Sequence, residues 1–561
     1  MARPDDSATS SQRRLILETL LLGVAGAAAA LVFNLLLRLA NWFFLGQIAG
    51  YRPPGLPNEG GVPHPIIGTH GLWLVPLATT LGGLLVGWIV TRWAPEAEGH
   101  GTDAAVKAFH RAGGAVRARV APIKAVASAI TIGSGGAAGR EGPVALVASG
   151  IASTYASLAG RGERDRRLLM LIGMAAGLSA IFRSPIGTAL FAVEVLYSDV
   201  EFESDALLYT ILSSIVAYAV NGLFVGWQPL FRMPADLSLP HLLDHAWFAV
   251  LGVTAGLVAV AEPVVFYRVR DLFRGLRMAP WLKPALGGLA TGLIALALPQ
   301  VMSGGYGWMQ AAIDGQLGAA TLLLLVFAQI VAMSFTISSG GSGGVFAPSL
   351  FIGAMLGGFL AAVAHLPPAP FVVVGMAAVF AGSARVPLAT MMMVTEMTGG
   401  YELLAPAALA VMLSYLIQVR YSRGLRYRSL YEAQVPRRTD SPAHHTEHLE
   451  IALRILGQRG IASPLRGRLD LLTLLRSGTP VELPDDRRLT VGVLRADSPL
   501  VRKTVGGDGG AFDTETRVIA IIRGEHMIGV RPDTVLDAGD RLILVTTSEG
   551  LDRLRPHVDS W

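Results

Sequence analysis

A glycine-rich interruption inside apolar sequence occurs twice, and it narrows the folds open to this chain more than any other feature. The first runs from Thr131 through Gly135, Gly136 and Gly139 to Glu141, Gly142 and Pro143. The second runs from Thr336 through Gly340, Gly341, Gly343 and Gly344 to Val345, Phe346 and Pro348, with the same spacing from threonine to proline. In that register Glu141 falls opposite Phe346. A second pair of segments repeats as well. Gly173-Met174-Ala175-Ala176 leads to Arg183, Pro185 and Glu194, and Gly375-Met376-Ala377-Ala378 leads at equal spacing to Arg385, Pro387 and Glu396. Close helix packing alone would explain one small-residue stripe. A duplicated break with kept spacing indicates two related halves whose broken helices meet near a bilayer midplane.

Composition supports the membrane. Of 561 residues, 52% are hydrophobic and 16% charged, with mean hydropathy +0.50, where a soluble chain carries about a quarter charged residues. Apolar runs recur, among them 15–45, 71–93, 168–198, 207–226, 246–268, 320–337, 348–366, 370–397 and 402–420. Several reach the ~20 residues that a helix needs to cross hydrocarbon. Others are short or broken by Gly and Pro, as tilted or re-entrant helices are. The first run is too long for a signal peptide and reads as a helix that stays.

The net charge of +5 sits largely in short loops, Lys107–Lys124, Arg161–Arg167, Arg268–Arg277 and Arg420–Arg428. By the positive-inside rule these and both termini are cytoplasmic. The basic balance therefore reports orientation in a prokaryotic inner or plasma membrane and points to no nucleic acid. The absence of cysteine excludes disulfides and thiolate chemistry. No metal cluster, phosphate loop or nucleophile–base pair suggests an enzyme or a cofactor.

The expected organisation is a disordered tail over 1–12 and a membrane domain over 13–433, with halves at about 13–226 and 245–425. An extracellular loop at 46–70 lies within the first half. A polar connector follows over 434–480, with a short helix near 446–458, and a small soluble domain over 481–561. In that last part Val491–Leu494, Arg517–Ile522 and Arg541–Val545 have strand character, and a short helix is expected over 548–555. The fold class is thus an all-α polytopic membrane protein built as an inverted repeat of broken helices, with a small cytoplasmic α+β domain.

A broken helix leaves backbone N–H groups at its N-terminus without intrahelical partners, and the helix dipole adds positive potential there. Two such ends converging would hold a small anion loosely enough to release it. Glu141 is a carboxylate within this apolar frame, which is costly unless it has a use. It mimics the anion when charged and vacates the site when protonated, so it suits a gate.

Gly139-Arg140-Glu141-Gly142-Pro143, Gly344-Val345-Phe346-Ala347-Pro348 and the duplicated halves resemble the CLC family of chloride channels and proton-coupled exchangers over about residues 13–435. The resemblance implies a homodimer with one chloride pathway per subunit and Glu141 as external gate. It also implies an anion site formed around Gly139, Arg140, Glu141, Gly142, Gly344, Val345 and Phe346, with Tyr431 facing the pore. Two positions depart from the family. Its first signature reads Gly-Ser-Gly-Ile-Pro, but here Gly99-His100-Gly101-Thr102-Asp103 stands, so His100 takes the inner-ligand position and is expected to make flux pH-dependent. Val195 occupies the place of the internal proton glutamate, which favours passive conduction over chloride/proton antiport by another route. Glu194 pairs with Glu396 in the repeat, as a polar contact between halves or a substitute proton site. The intact glycine-flanked Glu141 motif and Tyr431 speak against the fluoride-selective branch.

Residues 483–560 resemble the RCK-C (TrkA-C) module of potassium-transport regulators, on Thr490–Leu494, Arg517–Gly524 and Arg531–Asp540. Such modules dimerise and bind small ligands, which implies regulation of the pore. Read alone, this domain would suggest a cation transporter, but positive helix ends have the wrong polarity for cations.

Overall fold

The computed structural model describes residues 5–234, 245–443, 481–483, 487–506, 512, 516–523, 526–528 and 530–560. The chain divides into two compact units, Met1–Pro436 and Arg437–Trp561.

The first unit is helical. Its elements are α1 (Asp5–Asn41), α2 (Val75–Trp93), α3 (Thr102–Arg111), α4 (Val120–Gly133), α5 (Glu141–Leu158), α6 (Glu163–Phe182), α7 (Pro185–Glu194) and α8 (Ser204–Val225). The second half continues with α9 (His245–Gly275), α10 (Lys283–Ala297), α11 (Tyr306–Ile313), α12 (Ala319–Ser338), α13 (Phe346–Ala364), α14 (Pro368–Ala384), α15 (Pro387–Thr398) and α16 (Leu404–Ser422). Among the described residues, seven helices are long and apolar enough to cross a membrane. Large apolar side chains such as Leu208, Leu223 and Phe224 point outward, 71% exposed, as lipid-facing residues do.

Helix α1 begins at Asp5, where a disordered tail through residue 12 is expected. No glycine or proline follows until Gly23. The apolar runs 168–198 and 370–397 each divide into two helices. Arg183 and Arg385 end α6 and α14 in the left-handed region, at φ 55° and 58°, and the prolines two residues later open α7 and α15. A proline disfavours helical backbone in the residue before it, so the break is local. The loop between α1 and α2 holds a two-stranded ladder, β1 (Tyr51–Arg52) with β2 (Ile66–Ile67).

The second unit contains an antiparallel sheet of β3 (Val481–Leu483), β4 (Arg487–Leu494), β5 (Arg517–Arg523), β6 (His526–Ile528), β7 (Arg541–Thr547) and β8 (Val558–Ser560), with α17 (Ser548–Leu554). The order is β3-β4-β7-β5-β6, and β8 also pairs β4. Val518, Ile521, Leu542, Leu544 and Leu554 form its core. Arg523 forks onto Asp540 with both contacts at 2.8 Å, locking the turn after Gly539. The three strands and the helix expected here are present. The helix expected near 446–458 lies outside the described residues.

Candidate functional site

The two glycine breaks adopt matching backbone shapes. Gly135 and Gly340, equivalent in the repeat, both lie at strongly positive φ, 99° and 107°, a region side chains avoid. Each lets the chain leave one helix (α4 or α12) and reverse before starting the next (α5 or α13). The breaks then join. Gly139 N–H donates to the Gly344 carbonyl and Gly344 N–H to that of Gly139, both at 2.7 Å. A methyl group on Gly344 would meet the Gly142 nitrogen at 2.8 Å, so bare glycine is what lets the two helix starts approach. A third break enters from the loop between α2 and α3. Gly99 N–H donates to Gly341 at 2.9 Å, and Gly343 N–H returns to the Gly99 carbonyl at 3.2 Å. Lys124 on α4 clamps that loop by donating to Ala97 and Gly99 at 3.0 and 2.6 Å.

The amides of Glu141, Gly142, Phe346 and Ala347 open α5 and α13 and have no intrahelical acceptor. The Glu141 side chain, 1% exposed, fills the space between these two starts. A side chain on Gly139 would collide with its Oε2 and the Ala347 nitrogen. Oε2 is buried without a hydrogen-bond partner, and Oε1 accepts from the Tyr306 hydroxyl. A carboxylate therefore stands where the converging dipoles favour an anion.

Arg140 turns away from this point. Its guanidinium forks onto Glu59 at 2.9 and 3.3 Å and covers the Tyr306 ring at 4.7 Å, so its side chain braces the latch on Glu141. Val345 and Phe346 start α13. The Phe346 ring packs on Phe182 and Phe380, with centroids 4.5 and 4.2 Å away. Tyr431 is 2% exposed and has its ring 5.4 Å from His100, with Thr102 hydrogen-bonded to its phenol.

His100 is buried, with Nδ1 unpartnered. It lies in the loop outside the spanning helices and lines an inner cavity of about 640 Å³ shared with Phe266, Tyr267, Asp103 and Arg270. Burial first, then the charges of Lys124 and Arg270, hold its imidazole below the ordinary histidine range, down to about 3. That shift favours the neutral imidazole at physiological pH, against the expectation that a titrating His100 shapes the flux–pH curve. His100→Ser should change the amplitude of anion flux while leaving the shape of that curve between about pH 5 and 8 unchanged, measured by chloride efflux from liposomes.

Val195 is fully buried; its N–H donates to the Phe191 carbonyl and its own carbonyl accepts from Gln434, both at 3.0 Å, and its side chain carries no proton. Glu194 accepts from the amides of Leu388 and Ala389 at 3.1 and 2.6 Å, capping α15. Glu396 accepts from Ser184 at 2.6 Å and from the amides of Ile186 and Gly187 at 3.3 and 2.9 Å, capping α7. These two carboxylates are structural contacts between the halves. The Tyr306 latch and the Glu59–Arg140 brace are absent from the sequence reading, because nothing local marks partners so far apart in the chain.

Comparison with known proteins matches this geometry. Residues 82–419 match the voltage gated chloride channel family, and residues 493–558 match the TrkA-C domain. The chain is 28% identical over 414 residues to a putative chloride channel protein ClcB-like of Ralstonia nicotianae, covering 71% of this chain and 91% of that one. It is 30% identical over 357 residues to the H(+)/Cl(-) exchange transporter ClcA of Salmonella arizonae, covering 61% and 75%. Among solved structures, a CLC-type fluoride/proton antiporter superposes with TM-score 0.62 at 23% identity, over 76% of this chain and 98% of that one. A slow cyanobacterial Cl-/H+ antiporter superposes with TM-score 0.61 at 23% identity, over 74% and 95%. With the family matched over more than half its length, and with the paired breaks that define its site, the chain belongs to the voltage-gated chloride channel (CLC) family.

Proposed function

We propose that the protein moves chloride across the membrane through a pathway gated by Glu141. The observation that carries this reading is the position of that carboxylate, held between the amide ends of α5 and α13 where an anion would otherwise sit. When ionised it occupies the site, and when protonated it leaves the amides to chloride. Backbone N–H groups and the Tyr431 hydroxyl form a neutral set of donors, which suits an anion that must bind and depart. The amides around Gly142 and Val345–Phe346 are the proposed ligands. The basic loops support a cytoplasmic side for both termini, and the pathway is read as one of two in a homodimer. The TrkA-C domain is read as a regulatory module for a small ligand.

Val195 cannot carry a proton, and taken alone this favours passive conduction. One observation favours antiport by another route: a second carboxylate, Glu262, is fully buried in α9. The first test is chloride efflux from liposomes holding the purified protein. Replacing chloride with a large impermeant anion should abolish the flux, and a flux carried by cations would survive.

Tyr306→Phe should raise chloride flux at neutral pH by about three- to tenfold. It removes one hydrogen bond that holds Glu141 in the site, and the net worth of about 0.5–1.5 kcal/mol for such a bond corresponds to roughly that factor. The same efflux measurement reads it, with the phenyl ring and its contact to Arg140 kept.

A further inference from the structure

Glu262 lies in the middle of the spanning segment Ala246–Gly275 and is fully buried. Among the described residues it has no ion-pair partner. The helices packed against α9 are α12, α13, α14 and α16. The first three carry no titratable side chain at all. Helix α16 carries Tyr415, Arg420 and Tyr421, and Arg385 at the end of α14 is engaged by Gln418 and Ser422 at 3.0 and 2.7 Å. An isolated carboxylate at bilayer depth is expensive and needs a use.

Among the described residues, its hydrogen bonds come from two serines. Ser349 on α13 donates to Oε1 at 2.6 Å, and Ser383 on α14 donates to Oε2. Each hydroxyl has a second acceptor in its own helix, Val345 O at 2.8 Å for Ser349 and Val379 O at 3.0 Å for Ser383. A hydroxyl has one proton to give. When Glu262 is ionised, both protons point at the carboxylate. When Glu262 is protonated, one serine turns back to its helix carbonyl and accepts the carboxyl proton. The pocket thus satisfies both charge states without moving a helix, which a purely structural crosslink would not require.

The pocket also connects to the pathway on both sides. Phe266, one helical turn beyond Glu262 and so ~6 Å along α9, lines the inner cavity beside His100. Ser349 shares its proton with the carbonyl of Val345, the residue that opens the anion-site helix. The Ser383 carbonyl accepts from Leu430 N–H at 2.9 Å, beside Tyr431, whose phenol feels the charges of both Glu141 and Glu262.

We propose that Glu262 is the internal proton-binding group of this protein, in place of the carboxylate missing at Val195, and that chloride movement is therefore coupled to protons. A proton from cavity water binds the Glu262 carboxylate. It passes through water in the pathway to the Glu141 carboxylate and leaves to the outer solution, while chloride moves the other way. Both groups end as carboxylates, so the cycle balances. This inference rests on the Glu141-gated chloride pathway.

The test is the full-length protein in liposomes under a chloride gradient, with external chloride and pH followed together. The wild type should drive protons uphill. Glu262→Gln keeps two polar atoms for the serines, so chloride flux should persist. Proton movement should fall on the order of a hundredfold, the scale at which a positioned proton-transfer group contributes. Glu262→Asp, which restores a carboxyl, should recover part of it. Proton movement unchanged in Glu262→Gln overturns the proposal, as does wild-type chloride flux without protons, and both leave the Glu141-gated pathway standing. Absence of chloride flux in the wild type instead defeats that underlying reading. Should Glu262→Gln lose chloride flux as well, Ser383→Ala decides. A shifted pH dependence of wild-type-like proton movement supports Glu262 as the site, and an unchanged one overturns it.

Discussion

Replacing Glu141 with glutamine should give a protein whose chloride flux is high and indifferent to pH. On the proposed reading, the carboxylate and chloride compete for one set of amides, and the carboxylate is tethered beside them. Glutamine carries no charge, so the helix dipoles no longer hold it there, and chloride meets no ionised competitor. At neutral pH the flux should rise on the order of tenfold, corresponding to ~1.4 kcal/mol of lost competition. Proton movement should stop in the same variant, since its outer carrier is gone. Efflux measured across a pH series checks both effects at once. A flux that keeps the wild-type pH dependence would remove Glu141 from the gate.

Gly142→Ala should have the opposite result, a protein that folds and conducts almost nothing. The added methyl would stand 1.9 Å from the carbonyl oxygen of His100 and 3.1 Å from the Gly344 Cα. Both neighbours are backbone, and neither is the free end of a flexible side chain. The loop holding His100 is fixed by Lys124 and by its bonds to the second break, so the strain must move the start of α5. Its amides would then miss the anion by a fraction of an ångström to an ångström, an error that costs on the order of a hundredfold in rate where geometry does the work. The variant should still elute as a folded species while its chloride efflux collapses. Combining it with Glu141→Gln should not restore flux, because the defect lies in the amides and not in their competitor.

What the sequence discloses of this site is what the backbone decides locally. The reversals at Gly135 and Gly340, the prolines opening α7 and α15, and the carboxylate at residue 141 each follow from the residue type at one place. The same holds in the TrkA-C domain, where alternation along Arg517–Ile522 and Arg541–Val545 marks the strands. Contacts that depend on which helices become neighbours leave no such mark. Tyr306 reads as an ordinary interface aromatic until α11 is set beside α5. Arg140 reads as an anion ligand until Glu59, from the loop between α1 and α2, takes its guanidinium. His100 looks titratable until its burial beside Lys124 and Arg270 is known. Glu262, an acid inside the apolar run 246–268, goes unmarked in the sequence because its meaning needs the two serines that α13 and α14 bring to it.

The exchange of caps between α7 and α15 has a consequence for how the molecule is assembled. The offset that carries Glu194 onto Glu396 also carries Ile186 and Gly187 onto Leu388 and Ala389, so each contact is the mirror in role of the other. Gly139 and Gly344 bond to one another in the same reciprocal way. A half-length chain with one such glutamate would satisfy both helix ends by pairing with a copy of itself about a two-fold axis, as a self-complementary interface does. In the fused chain that axis runs between the two glycines, and the residues on it are held alike in both halves. The first amides of α7 donate to a cap that Glu396 supplies, so that cap exists only once the second half of the chain does. The paired caps are thus complete only when both halves are present.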